Sequence, residues 1–123
     1  MSQGSRRRRG SDAQNWLAAH LRDHGWPYAE ATGAGRQGAD ILGTPGLAFE
    51  VKASHEFRVE SWLAQAEHGR AGVPLLVYRG NGQGLASIGR WPMILRLDAG
   101  LDLLNAAGYG WDGWNKAKLE EAQ

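Results

Sequence analysis

The 123-residue chain contains no cysteine. That absence excludes disulfides, thiolate metal sites and cysteine nucleophiles together, and it makes a reducing, cytoplasmic compartment the expectation. No apolar run approaches the ~20 residues that span a bilayer, and no apolar segment follows the basic start of the chain as a signal peptide requires. An excess of one charge is also missing, since 14 Lys and Arg against 13 Asp and Glu leave a net charge of +1. Attraction for an anionic partner must therefore come from local placement of charge. What is present is apolar material, 42% of residues with six Trp among them, enough for one domain core in a chain too short for two.

The basic charge is concentrated at the start. Arg6, Arg7, Arg8 and Arg9 form a block within residues 1–10, which lack apolar residues beyond Met1 and are rich in Gly and Ser. They read as a flexible arm whose arginines either neutralise phosphates or form a solvated tail. A domain over 11–110 and a polar tail over 111–123 follow.

From Ser11 onward, Ala13, Trp16, Leu17 and Leu21 recur at helical spacing until Gly25 and Pro27 stop the pattern. Ser11 followed by Gln14 fits a capping box, in which each side chain satisfies a backbone N–H at the helix start. After a short segment at 26–31 come two strand-like stretches, Ala39–Leu42 and Leu47–Ala53, read as a hairpin around Gly43-Thr44-Pro45-Gly46. Val59, Trp62, Leu63 and Ala66 suggest a second helix. Val73–Arg79 and Leu85–Trp91 suggest a second strand pair, with residues 93–97 extending it or starting a third strand, and 99–107 helical. The expected class is α/β, a central mixed β-sheet flanked by helices.

Gly33, Gly35 and Gly38 satisfy G-x-G-x-x-G, but the Ala-Asp-Ile-Leu-Gly-Thr-Pro-Gly that follows breaks too soon to supply the helix that a dinucleotide site needs. The segment reads instead as a loop whose Arg36 and Gln37 can meet a phosphate. It enters directly before Asp40.

In Leu47–Ala53, period-two geometry puts Leu47, Phe49 and Val51 on one face and Ala48, Glu50 and Lys52 on the other. An apolar face turned to the core leaves Glu50 and Lys52 toward solvent. A three-residue Thr44-Pro45-Gly46 connection gives the even register that places Asp40 beside Glu50, whereas a two- or four-residue connection reverses Asp40. Two carboxylates so close repel unless a cation sits between them, and oxygen donors of this kind suit Mg²⁺, with Mn²⁺ as an alternative. With a neighbouring lysine, such a grouping can cut a phosphodiester.

Gly38-Ala-Asp40, then Glu50-Val-Lys52 with Glu50 ten residues after Asp40, and a helix before and after, resembles the PD-(D/E)XK nuclease superfamily, and within it Holliday junction resolvase-like nucleases of phage and actinobacterial type. The likeness covers roughly residues 9–91. It implies a restriction-endonuclease-like fold with an αβββαβ core, and a Mg²⁺-dependent endodeoxyribonuclease that resolves Holliday junctions or other branched DNA as a homodimer, in a bacterial or phage-infected cell. By position, Asp40, Glu50 and the Val51 carbonyl would hold the metal, Lys52 would act on the attacking water, and Gln65 would face the site from the second helix. Arg6–Arg9, Arg36 and Gln37 would contact DNA. Relatives usually carry a glutamate in the first helix. Gln14 stands at the matching place here, with Asp12 and Glu30 as substitutes that spacing does not force. The alternatives are a restriction or repair nuclease, and a DNA-binding module of the same fold whose nuclease site has decayed.

Other groupings are weaker. His20 and His24 share a helix face without a third ligand, and His55 follows Lys52 closely enough to meet a phosphate. Trp16 and Trp62 read as core, while Trp111 and Trp114 suit an interface.

Overall fold

The computed structural model describes residues 3–33 and 38–110. Its elements are α1 (Gln3–Arg22), β1 (Glu30–Ala31), β2 (Ile41–Leu42), β3 (Leu47–Ala53), α2 (Val59–Glu67), β4 (Val73–Arg79), a short 3-10 helix (Leu85–Arg90), β5 (Met93–Ile94) and α3 (Leu97–Ala106). Arg36, Gln37, Trp111 and Trp114 lie outside the described residues.

The central feature is a three-stranded mixed sheet in the order β3-β4-β5, with β3 and β4 parallel and β4 and β5 antiparallel. Parallel neighbours require a crossover, and α2 supplies it. Each face of a sheet carries alternate residues, so the two faces can be read from burial. Phe49, Val51, Leu75 and Val77 pack against Ala13, Leu17 and Leu21 of α1, whereas Leu76 and Tyr78 pack against Trp62 and Leu63 of α2. One helix therefore covers each face, and the protein is a small α/β structure.

The basic block is not a flexible arm. Residues 3–10 continue α1, because arginine is a good helix former and because the turn is pinned to the end of β4. Arg9 Nη2 donates to the Gly80 carbonyl at 2.6 Å, and Arg79 Nη1 donates to the Arg9 carbonyl at 3.1 Å. The Arg79 guanidinium also lies 4.6 Å from the centre of the Trp16 ring and 5.9 Å from that of Trp91. Ser11 consequently falls inside the helix, and the expected capping box with Gln14 does not form. Trp91 is buried, as is Trp62, while Trp16 is partly buried against the core.

Two pairings differ from the sequence pattern. β2 pairs antiparallel with β1, through Glu30 with Leu42 and Ala31 with Ile41; Ile41 packs in the core with Phe49 and Val51, but the hydrogen bonds to β3 come from the preceding Asp40. The segment 85–91 coils into a 3-10 turn instead of a strand, held by Ser87 bonding to Gln83 and Gly84, so β4 takes Met93–Ile94 as its partner. Gly43 lets β1 and β2 close. Its φ is 78°, and a Cβ there would lie 2.0 Å from the Tyr28 carbonyl oxygen.

Candidate metal-dependent active site

A strand bonded to a neighbour on one side leaves alternate N–H and C=O groups facing outward on the other. On β3 those outward groups belong to Phe49 and Val51, and Asp40 satisfies both. Its backbone N–H donates to the Phe49 carbonyl at 3.0 Å, and its Oδ2 accepts the Val51 N–H at 2.7 Å. The Asp40 carbonyl in turn accepts from the Thr32 N–H at 3.0 Å and the Thr32 hydroxyl at 3.3 Å. The residue is fixed at backbone and side chain alike, so its carboxylate is held in the plane of the strand edge. The Val51 carbonyl leaves β3 on that same edge, because N–H and C=O of one residue point to the same side.

Glu50 is 2% exposed. The expectation that its face is open to solvent fails, because the parallel β3–α2–β4 unit buries both faces of the sheet. A buried carboxylate requires partners. Lys52 Nζ lies 3.2 Å from Oε1, and Arg70 Nη1 lies 2.6 Å from Oε2. The Lys52 side chain remains 27% exposed and forms the solvent-facing side of the pair, whereas Arg70 is 12% exposed.

Asp40 stands within electrostatic reach of Glu50, Lys52 and Arg70. Burial holds its carboxyl above the usual carboxylate range; the Val51 N–H opposes that shift, the Glu50 charge reinforces it, and the Lys52 and Arg70 cations counter it. Asp40 thus bonds the residues on either side of Glu50, but not through the hairpin that the sequence pattern suggests. No continuous hairpin ladder sets a register; Asp40 reaches the edge of β3 by its own hydrogen bonds.

The oxygen donors suit a hard divalent cation. No described residue donates to Asp40 Oδ1, and the Val51 carbonyl and Glu50 complete a set of the type Mg²⁺ accepts alongside water. Both Glu50 oxygens are engaged, so coordination there requires Arg70 or Lys52 to yield one. Among the described residues, no group of three or more His, Asp and Glu forms a denser ligand cluster.

The remaining expected site residues lie on other elements. Gln65 is exposed on α2, whose buried side chains are Trp62, Leu63 and Ala66. Gln14 is partly buried on α1, with Oε1 shielded from solvent and without a hydrogen-bond partner. The rings of His20 and His24 lie 4.1 Å apart, and His24 Nδ1 bonds the His20 carbonyl at 2.7 Å. Arg6 and Arg9 share one helix face at i and i+3 and line a cavity at the end of β3; Arg8 and Arg9 line a second opening with Asp12 and Arg79. Arg70 is the residue that the sequence pattern missed. Its signal would have been a charged pair on a strand buried by a βαβ crossover, which demands a further cation near the helix end.

Comparison with known protein families, curated proteins and solved structures finds no match to this chain.

Proposed function

We propose that the protein is a metal-dependent endodeoxyribonuclease of the restriction-endonuclease-like fold, hydrolysing phosphodiester bonds in four-way junctions or other branched DNA. The observation that carries this reading is the Asp40 Oδ2 to Val51 N–H bond of 2.7 Å, which locks a carboxylate onto the edge of the strand that carries Glu50 and Lys52. This reading combines that geometry with the spacing Gly38-Ala-Asp40 and Glu50-Val-Lys52.

Asp40, Glu50 and the Val51 carbonyl would hold Mg²⁺, which supplies charge stabilisation at a phosphoryl oxygen and makes a water easier to deprotonate. The protein's own contribution is placement. Asp40 is fixed by its backbone bonds before any ligand arrives, so little reorganisation is needed at the reaction. Lys52, held 3.2 Å from Glu50 and partly exposed, directs its ammonium toward the attacking water or a non-bridging phosphate oxygen. Water attack on phosphorus breaks one P–O ester bond and leaves a phosphate monoester end and a hydroxyl end. Paired cuts in a junction of near two-fold symmetry call for a homodimer.

One observation favours a second reading. Arg70 and Lys52 already compensate the Glu50 charge, as they would in a DNA-binding module whose nuclease site has decayed. Incubating the protein in Mg²⁺ with a four-way junction, a fork and a linear duplex separates the readings. Cleavage of junction or fork in preference to duplex supports the proposal; equal or preferential duplex cleavage favours restriction or repair chemistry; binding without cleavage of any substrate favours the decayed module.

A further inference from the structure

Beyond Lys52, β3 runs into a cavity of about 350 Å³ lined by Arg6, Arg9, Ser54, His55, Glu56 and Arg58. Two elements distant in sequence converge there, the first turns of α1 and the β3–α2 connection. Three arginines line it against one acidic residue, Glu56, which pairs with Arg58.

The walls are built before any ligand is bound. The Tyr78 hydroxyl donates to the Ser54 carbonyl at 2.9 Å, the Ser54 N–H donates to the Arg79 carbonyl at 3.3 Å, and the Glu56 N–H donates to Ser54 Oγ at 3.1 Å. Arg9 is tied to the Gly80 carbonyl at 2.6 Å. The basic recess is therefore fixed in position by main-chain bonds.

We infer that this cavity seats a second, non-reacting backbone phosphate of the nucleic acid whose scissile phosphate lies at Lys52. The placement as second phosphate rests on the nuclease reading; the phosphate chemistry of the cavity does not. Ser54 and His55 follow Lys52 by two and three residues, so their backbones lie within roughly 10 Å of it. One nucleic-acid strand can reach both places. Guanidiniums bind phosphate through paired N–H donors, and ligands of α/β proteins collect at the carboxyl ends of parallel strands, which is where this cavity opens. The basic block is thereby divided: Arg6 and Arg9 belong to the cavity and Arg7 does not.

The test is binding of a labelled four-way junction and a labelled duplex in EDTA, over a range of salt, with Arg6→Gln, Arg58→Gln and Arg7→Gln. Arg6 and Arg58 are exposed side chains, so their replacement spares the core. Each is expected to weaken binding about fivefold and to reduce the slope of log affinity against log salt by about 0.9. Arg7→Gln is expected to keep the wild-type affinity and slope. Unchanged slopes for Arg6→Gln and Arg58→Gln overturn the inference, as does an equal loss for Arg7→Gln or the absence of measurable binding by wild type. Cleavage in Mg²⁺, scored separately, shows whether the nuclease reading fails while the binding result stands.

Discussion

Arg70 is the residue whose replacement tests the site's electrostatics most sharply. Arg70→Met keeps much of the apolar stem but removes the guanidinium 2.6 Å from a carboxylate that is 2% exposed. Breaking a buried ion pair costs about 3–5 kcal/mol when the remaining charge has no other partner. Here Lys52 stays at 3.2 Å from the other oxygen, so the expected loss is smaller, about 2–3 kcal/mol, near the worth of one charge-assisted hydrogen bond plus partial desolvation. With ~2.1 cal/mol/K of unfolding entropy per residue, that corresponds to a fall in Tm of about 8–12 °C. Urea unfolding at neutral pH measures it, with the slope m checked for constancy. Adding Glu50→Gln to the Arg70 variant removes the stranded charge, so the double variant is expected to be at least 1 kcal/mol more stable than the sum of the single losses predicts. A loss below about 0.5 kcal/mol for Arg70→Met, or strict additivity in the double variant, refutes the claim that Arg70 neutralises Glu50.

Three further outcomes follow from the structure. Asp40→Asn keeps an acceptor for the Val51 N–H and removes a charge disfavoured by burial, so it is expected to unfold at a higher temperature than wild type at pH 7. Because the folded pKa of Asp40 is raised, wild type recovers stability as pH falls through that pKa, and the gap should shrink in acid; a lower Tm for the variant at pH 7 contradicts this. Gly43→Ala combines a positive φ with a contact of 2.0 Å to the Tyr28 carbonyl, and a loss of about 2 kcal/mol or more in denaturant unfolding is expected. Arg79→Met removes the donor to the Arg9 carbonyl and the guanidinium against Trp16; amide exchange in residues 3–9 should quicken relative to 13–21, and equal protection across α1 argues against the pinning described above.

Much of the fold was legible because apolar spacing reports which faces are covered. Trp16, Leu17 and Leu21 mark α1, and Trp62, Leu63 and Ala66 mark α2. Strands β3 and β4 were likewise visible as apolar runs of the right length. Pairing was less legible: Leu47–Ala53 alternates as a half-exposed hairpin strand would, yet α2 covers its charged face, and only the crossover to a parallel β4 shows why. Residues 85–91 carry strand-like composition, but Ser87 competes for local backbone groups and the chain turns instead. At the site, the way Asp40 meets the edge of β3 was not legible, because a side-chain bond to a strand edge leaves no periodic trace. Arg70 leaves none either. Its need becomes visible only once Glu50 is known to be buried.

The most direct measurement is the cleavage rate of a four-way DNA junction by wild type and Lys52→Ala, each in Mg²⁺ and in EDTA. Wild type is expected to cleave in Mg²⁺ alone, and Lys52→Ala to lose at least ~10²-fold, the scale expected for a group acting on the nucleophile or the developing charge. Glu50 keeps Arg70 in that variant, so a folded protein is expected beside the lost activity, with junction binding weakened by no more than about the loss of one phosphate contact. Wild type that cuts no junction in Mg²⁺, or Lys52→Ala that cuts at the wild-type rate, rules out a metal-dependent nuclease site at Lys52.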